Sequence, residues 1–109
     1  MSKYIIITTT TNSKSNAQSI ANLLIKKKLA ACVQIIPDIE STFKWEGSVN
    51  TEKEILVLVK TTKMLKDDVN KKIKENHSYK IPQITSLKFD ILNNKYKKWF
   101  DLSVGENIE

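Results

Sequence analysis

The chain has 109 residues, of which 40% are apolar and 28% charged, a balance that suits one globular domain over residues 1–109 and excludes a disordered polar chain. Its 18 basic residues against 12 acids give a net charge of +6, but every one is lysine, so the bidentate fork favoured for guanine, phosphate and carboxylate recognition is missing. One cysteine, Cys32, and one histidine, His77, exclude an intramolecular disulfide and a closed Cys/His zinc site within a single chain.

No window approaches the roughly 18 consecutive apolar residues of a membrane-spanning helix. Met1-Ser2-Lys3-Tyr4 runs directly into a β-like segment, not a signal-peptide core. The expectation is a cytoplasmic protein with a solvated lysine surface, without nucleic-acid binding or membrane insertion.

Lys3 to Thr10 is rich in β-branched and aromatic residues and predicts a buried first strand. Asn12, Ser13 and Ser15 offer N-cap oxygens, with Ser15 and Gln18 at capping-box spacing. Ala17, Ile20, Ala21, Leu24 and Ile25 then recur at helical intervals. Lys26, Lys27 and Lys28 in the last turn complement the helix dipole. Ala31 to Ile36 returns to strand character, Pro37 marks a bulge or an edge position, and Ile39 to Trp45 continues extended. Glu46-Gly47-Ser48 predicts a hairpin turn with Gly47 at positive φ, and Val49 to Thr61 is the returning strand.

Thr61 or Thr62 can cap a second helix over Lys63 to Asn76, where Leu65, Val69 and Ile73 form an apolar stripe. Pro82 excludes continuation of that helix. Gln83 to Ile91 predicts the last strand, and Asn93 or Asn94 starts a short helix carrying Tyr96, Trp99 and Phe100. The order is βαββαβ with an extra C-terminal helix. This is an α+β, ferredoxin-like arrangement: a four-stranded antiparallel sheet with both main helices on one face.

The central strand, Glu54 to Lys60, carries Ile55, Val57 and Val59 on one face and Glu54, Leu56, Leu58 and Lys60 on the other. Two helices cover only one of these apolar faces. A second surface must cover the other, either a partner subunit or, in part, the aromatic C-terminal helix. Glu54 and Lys60 then flank the seam, where charge is retained when paired or functional.

Several separated segments carry a resemblance. Leu29-Ala30-Ala31-Cys32-Val33, Pro37, Ser41-Thr42-Phe43-Lys44-Trp45-Glu46-Gly47, Glu54 and Lys60-Thr61-Thr62 are similar in order and spacing to the CutA divalent-cation tolerance family. His77-Ser78-Tyr79-Lys80-Ile81-Pro82-Gln83-Ile84 resembles that family's His-Pro-Tyr-Glu-x-Pro-Glu-Ile segment. Tyr96 and Trp99 fit its C-terminal helix.

The resemblance implies a PII-like homotrimer with ferredoxin-like subunits and a role in tolerance or homeostasis of copper or another divalent cation, with no organic cofactor. It also implies that Cys32 and His77 match residues implicated in copper binding, and that Trp45, Glu54, Lys60, Tyr79 and Trp99 match residues lining clefts between subunits. Lys80 and Gln83 stand where the family commonly has glutamates, which removes metal-ligand capacity.

Cysteine thiolate and imidazole suit soft or borderline ions, but two ligands from one chain are too few without symmetry-related copies. Equally, Cys32 reads as a small buried hydrophobe and His77 as a helix-ending residue. An acylphosphatase-type enzyme would need an arginine. An RNA-recognition sheet would need an aromatic and glycine signature on its strands. No activating motif surrounds Cys32 or His77, so no enzyme activity is expected. The competing expectation is a PII-like trimeric scaffold that holds a small anionic ligand in its clefts and signals instead of handling metal, with Lys60, Tyr79 and Trp45 as cation, donor and stacking surface.

Overall fold

The computed structural model describes residues 3–105. The elements run β1 (Tyr4–Thr11), α1 (Lys14–Lys26), β2 (Cys32–Trp45), β3 (Ser48–Thr62), α2 (Lys66–Asn76), β4 (Ile84–Phe89) and α3 (Asn94–Ser103). All pairings are antiparallel and the sheet order is β2-β3-β1-β4. This is the expected ferredoxin-like arrangement with its added C-terminal helix.

Both main helices cover one face of the sheet. Ile20 and Leu24 of α1 and Val69 and Ile73 of α2 form one buried cluster with Ile5, Ile7, Val57 and Val59. Because side chains alternate along a strand, Tyr4, Ile6, Leu56, Leu58 and Lys60 occupy the opposite face. The register sets Ile6 beside Lys60 and Leu87 in neighbouring strands.

Helix α3 crosses to that second face at one end. Phe100, fully buried, packs with Tyr4, Ala31 and Val104, and its ring meets Tyr4 edge-on at 5.2 Å. The Tyr4 hydroxyl donates to Asp101 Oδ1 at 2.8 Å, tying α3 to the sheet. Burial and this carboxylate push the Tyr4 phenol up to about 12. Beyond α3 the face stays open, with Ile36 42% and Leu87 51% exposed. The aromatic helix therefore covers part of the second face and leaves the rest available.

Local details differ from the sequence expectations in four places. Ser13, not Ser15, caps α1, accepting from the Asn16 amide at 3.1 Å; Ser15 already lies inside the helix. Of the lysine triplet only Lys26 is in the last turn, while Lys28 takes φ 58°. Its amide donates to Ile25 and that of Leu29 to Leu24, the bond pair of a Schellman motif, which usually recruits glycine at the left-handed position.

Neither candidate threonine caps the second helix through its side chain. Thr62 precedes a short 3-10 turn, Lys63–Leu65, without a side-chain bond, and the Thr61 hydroxyl donates to the Leu29 carbonyl at 2.7 Å. The last strand is also shorter than expected, covering Ile84–Phe89.

Pro37 lies on an edge strand beside a register shift between Ile36 and Ile39, where Asp38 takes φ 59°. Placed there, the missing proline N–H interrupts no central ladder. The hairpin turn has Glu46 at φ 51° and Gly47 at φ 84°, both left-handed as a two-residue turn of type I′ demands. With strands of 14 and 15 residues, the β2–β3 hairpin reaches past the other strands, because β1 ends opposite Ile55.

Candidate functional site

The projecting hairpin and the segment after α2 enclose a cleft of about 420 Å³. Phe43 and Trp45, two residues apart on β2, present aromatic surface to it, with Trp45 53% exposed. Glu54 comes from β3. Tyr79, Lys80 and Ile81 come from the loop between α2 and β4, and Thr10 and Gln83 complete the lining.

The loop is fixed by a polar network that begins in the threonine run of β1. His77, at the C-terminus of α2, places Nε2 3.0 Å from both Thr9 Oγ1 and the Thr10 carbonyl oxygen. Its Nδ1 accepts the Tyr79 amide at 3.0 Å. An acceptor at Nδ1 puts the neutral ring's proton on Nε2, where it faces the Thr10 carbonyl. Nearby, Asn16 accepts the Ser78 amide at 3.1 Å and donates to the Asn76 carbonyl at 2.8 Å. Thr9 and Thr11 are fully buried, so their hydroxyls need such partners.

Held in this way, Tyr79 donates its phenol to Glu54 Oε2 at 2.6 Å. Burial first, then the bond to this carboxylate, raise the Tyr79 phenol well above its usual range. Burial lowers the His77 imidazole, opposed in part by the Thr10 carbonyl and the Glu54 charge. Among the described residues, the ion pairs are Lys3–Asp101 and Lys72–Glu75, so Glu54 has no cationic partner.

The candidate residues fall into two groups. Trp45, Glu54 and Tyr79 share the cleft. Cys32 and Lys60 lie side by side at the other end of the open face, where burial first, and then nearby Cys32, raise the Tyr96 phenol and Trp99 stacks on Tyr96 at 5.4 Å. Glu54 and Lys60 are six residues apart on one strand, about 20 Å. Within one chain, therefore, Lys60 and Trp99 do not reach the Glu54 cleft.

Cys32 and His77 are also separated. Cys32 is level with Ile6 across β3, whereas His77 holds Thr9 and Thr10, an offset of about 10 to 13 Å along the strands alone. Both His77 nitrogens are engaged, and no group of three or more His, Cys, Asp or Glu side chains gathers among the described residues. One chain by itself does not fit a copper centre built on this pair.

Sequence reasoning missed Phe43, Ile81 and the Thr9–His77–Tyr79 linkage. Alternation from Trp45 pointed to Phe43, and the uninterrupted run Thr8 to Thr11 signalled a strand whose buried hydroxyls need partners. Nothing local pointed to Ile81.

The sequence profile of the CutA1 divalent ion tolerance protein family matches residues 5–103. The chain belongs to the CutA family. It is 38% identical over 103 residues to the chloroplastic protein CutA 1 of Oryza sativa, covering 94% of this chain and 58% of that one. It is 34% identical over 100 residues to the divalent-cation tolerance protein CutA of Thermus thermophilus, covering 92% and 97%. Thus the chain spans little more than half of the plant CutA relative and nearly all of the bacterial one. The crystal structure of CutA1 from Oryza sativa superposes with a TM-score of 0.90 at 38% identity, covering 95% of each chain.

Proposed function

We propose that this chain serves divalent-cation tolerance as a homotrimer, in which the open sheet faces and β2–β3 hairpins close against neighbouring copies and the Glu54–Tyr79 cleft is the working site. The observation that carries the reading is the partition of the open face. Five residues expected to line clefts between subunits lie at its two ends within a single chain, and copies packed together are the economical way to bring the two groups to shared clefts.

Charge distribution supports this assembly. Residues 14–28 and 63–76, which include α1 and α2, hold nine lysines against three acids, equal to the whole net charge of +6. The described remainder, residues 3–13, 29–62 and 77–105, holds nine lysines against seven acids, so most of the net charge lies on the two helical segments and little of it opposes packing of copies by their sheet sides. Exposed Ile36 and Leu87 supply apolar surface for such packing.

Divalent cations, copper among them, are the cargo in this reading. Cys32 is the soft donor, and its place on the open face lets copies bring further ligands to it. His77 keeps its structural bonds and holds Tyr79. Equilibrium dialysis of the purified protein against Cu(I), Cu(II) and Zn(II), with Cys32→Ser beside it, tests the proposal. Saturable retention that the substitution reduces supports it; retention no greater than for an unrelated lysine-rich protein refutes the metal role.

A further inference from the structure

Within one chain, the Glu54 cleft is lined by two residues of opposite charge, Glu54 and Lys80, and no ion pair joins them among the described residues. Glu54 is held in place by the Tyr79 phenol on Oε2, which leaves Oε1 as an acceptor. Phe43, Trp45 and Ile81 line the same cleft, and its volume of about 420 Å³ lies in the range of small-molecule sites.

A metal ion is a poor match for this lining. Hard divalent ions take six or more oxygen ligands, and zinc four donors; here Glu54 is the one carboxylate of the lining, the other oxygens come from Thr10, Tyr79 and the Gln83 amide, and a lysine lines the same cleft. A simple anion would meet Glu54, and a simple cation would meet Lys80. A small molecule carrying both charges satisfies both groups, with its apolar body against the aromatic rings. Its ammonium would gain from the carboxylate and from the faces of Trp45 and Phe43.

We propose that this cleft binds a small zwitterion of the α-amino-acid class with an apolar or aromatic side chain, its ammonium on Glu54 and its carboxylate on Lys80. The inference deepens the reading of the Glu54–Tyr79 cleft as the working site and rests on it. Glu54 sets the ammonium end, Lys80 the carboxylate end, and Phe43, Trp45 and Ile81 select the side chain.

The test is isothermal titration calorimetry of the purified protein with L-phenylalanine, phenethylamine, phenylpropionate and glycine. Saturable binding of phenylalanine is expected, with each of the other three about tenfold or more weaker, the scale of a lost charged hydrogen bond or apolar contact. In Glu54→Gln, phenylalanine should bind no better than phenylpropionate; in Lys80→Met, at an exposed position tolerant of change, no better than phenethylamine.

Absence of saturable phenylalanine binding overturns the inference. So does phenethylamine or phenylpropionate binding the wild-type protein as tightly as phenylalanine. Light scattering and metal dialysis on the same preparation keep this result separate from the trimer and metal proposals, since either can stand while the zwitterion fails.

Discussion

The phenol of Tyr79 and the carboxylate of Glu54 meet at 2.6 Å, joining the loop after α2 to the projecting hairpin across 25 residues of sequence. The bond places a carboxylate that has no cationic partner among the described residues beside exposed aromatic side chains, and it depends on His77 holding the Tyr79 amide. Glu54→Gln removes the largest electrostatic reason for the raised Tyr79 phenol and leaves burial and the smaller effect of the Glu52 charge. Spectrophotometric titration should therefore show one tyrosine ionising at lower pH in this variant than in the wild type. An unchanged titration curve would mean that the bond does not persist in solution.

His77 makes stability pH-dependent in a defined direction. Burial lowers its folded-state pKa below the ordinary 6.5, so on acidification the unfolded chain takes up the proton first. This contribution to stability is complete above about pH 6.5 and is lost as pH falls through 6.5 toward the lower folded-state value. Urea unfolding between pH 8 and pH 5 should show the loss, and His77→Gln should flatten the curve in that window. Since His77 is the only histidine, no other imidazole can reproduce the effect.

Lys28→Gly should stabilise the protein. Lys28 holds φ 58° in the Schellman turn after α1, a conformation that costs a residue with a Cβ about 1 kcal/mol and glycine nothing. Part of that gain offsets the greater freedom of glycine in the unfolded chain. A higher urea midpoint at unchanged slope is the expected result, and a lower midpoint would contradict the strain argument.

Phe100→Ala should destabilise by about 3 to 5 kcal/mol, the scale for deleting a buried aromatic side chain. Phe100 is fully buried and contacts the Tyr4, Phe89 and Tyr96 rings. Loss of α3 docking should also bring the Tyr4 phenol down from about 12, because its burial is relieved and Asp101 leaves with the helix. Thermal unfolding and tyrosine titration measure the two effects independently.

Element order, the alternating faces of β3 and the positive φ of Gly47 were legible because each follows from short-range pattern or backbone sterics. The exact caps were less so: Asn12, Ser13 and Ser15 all offer oxygens, and only the path of the chain out of β1 selects Ser13. Glu46 and Lys28 take left-handed conformations although neither residue type favours them, so tertiary context overrides local preference there. The site was partly visible, with Trp45, Glu54 and Tyr79 converging. The separation of Cys32 from His77 was not visible, because it depends on strand register and on buried Thr9 and Thr10, and spacing in sequence carries neither.

The central claim is that the half-open sheet face is closed by other copies of this chain, and light scattering coupled to size exclusion tests it most directly. At micromolar concentration the wild-type protein should elute with three times the chain mass. Ile36→Glu, at a position 42% exposed in the single chain, should lower that mass while circular dichroism stays folded. A wild-type protein that is well folded and monomeric under the same conditions would contradict the account.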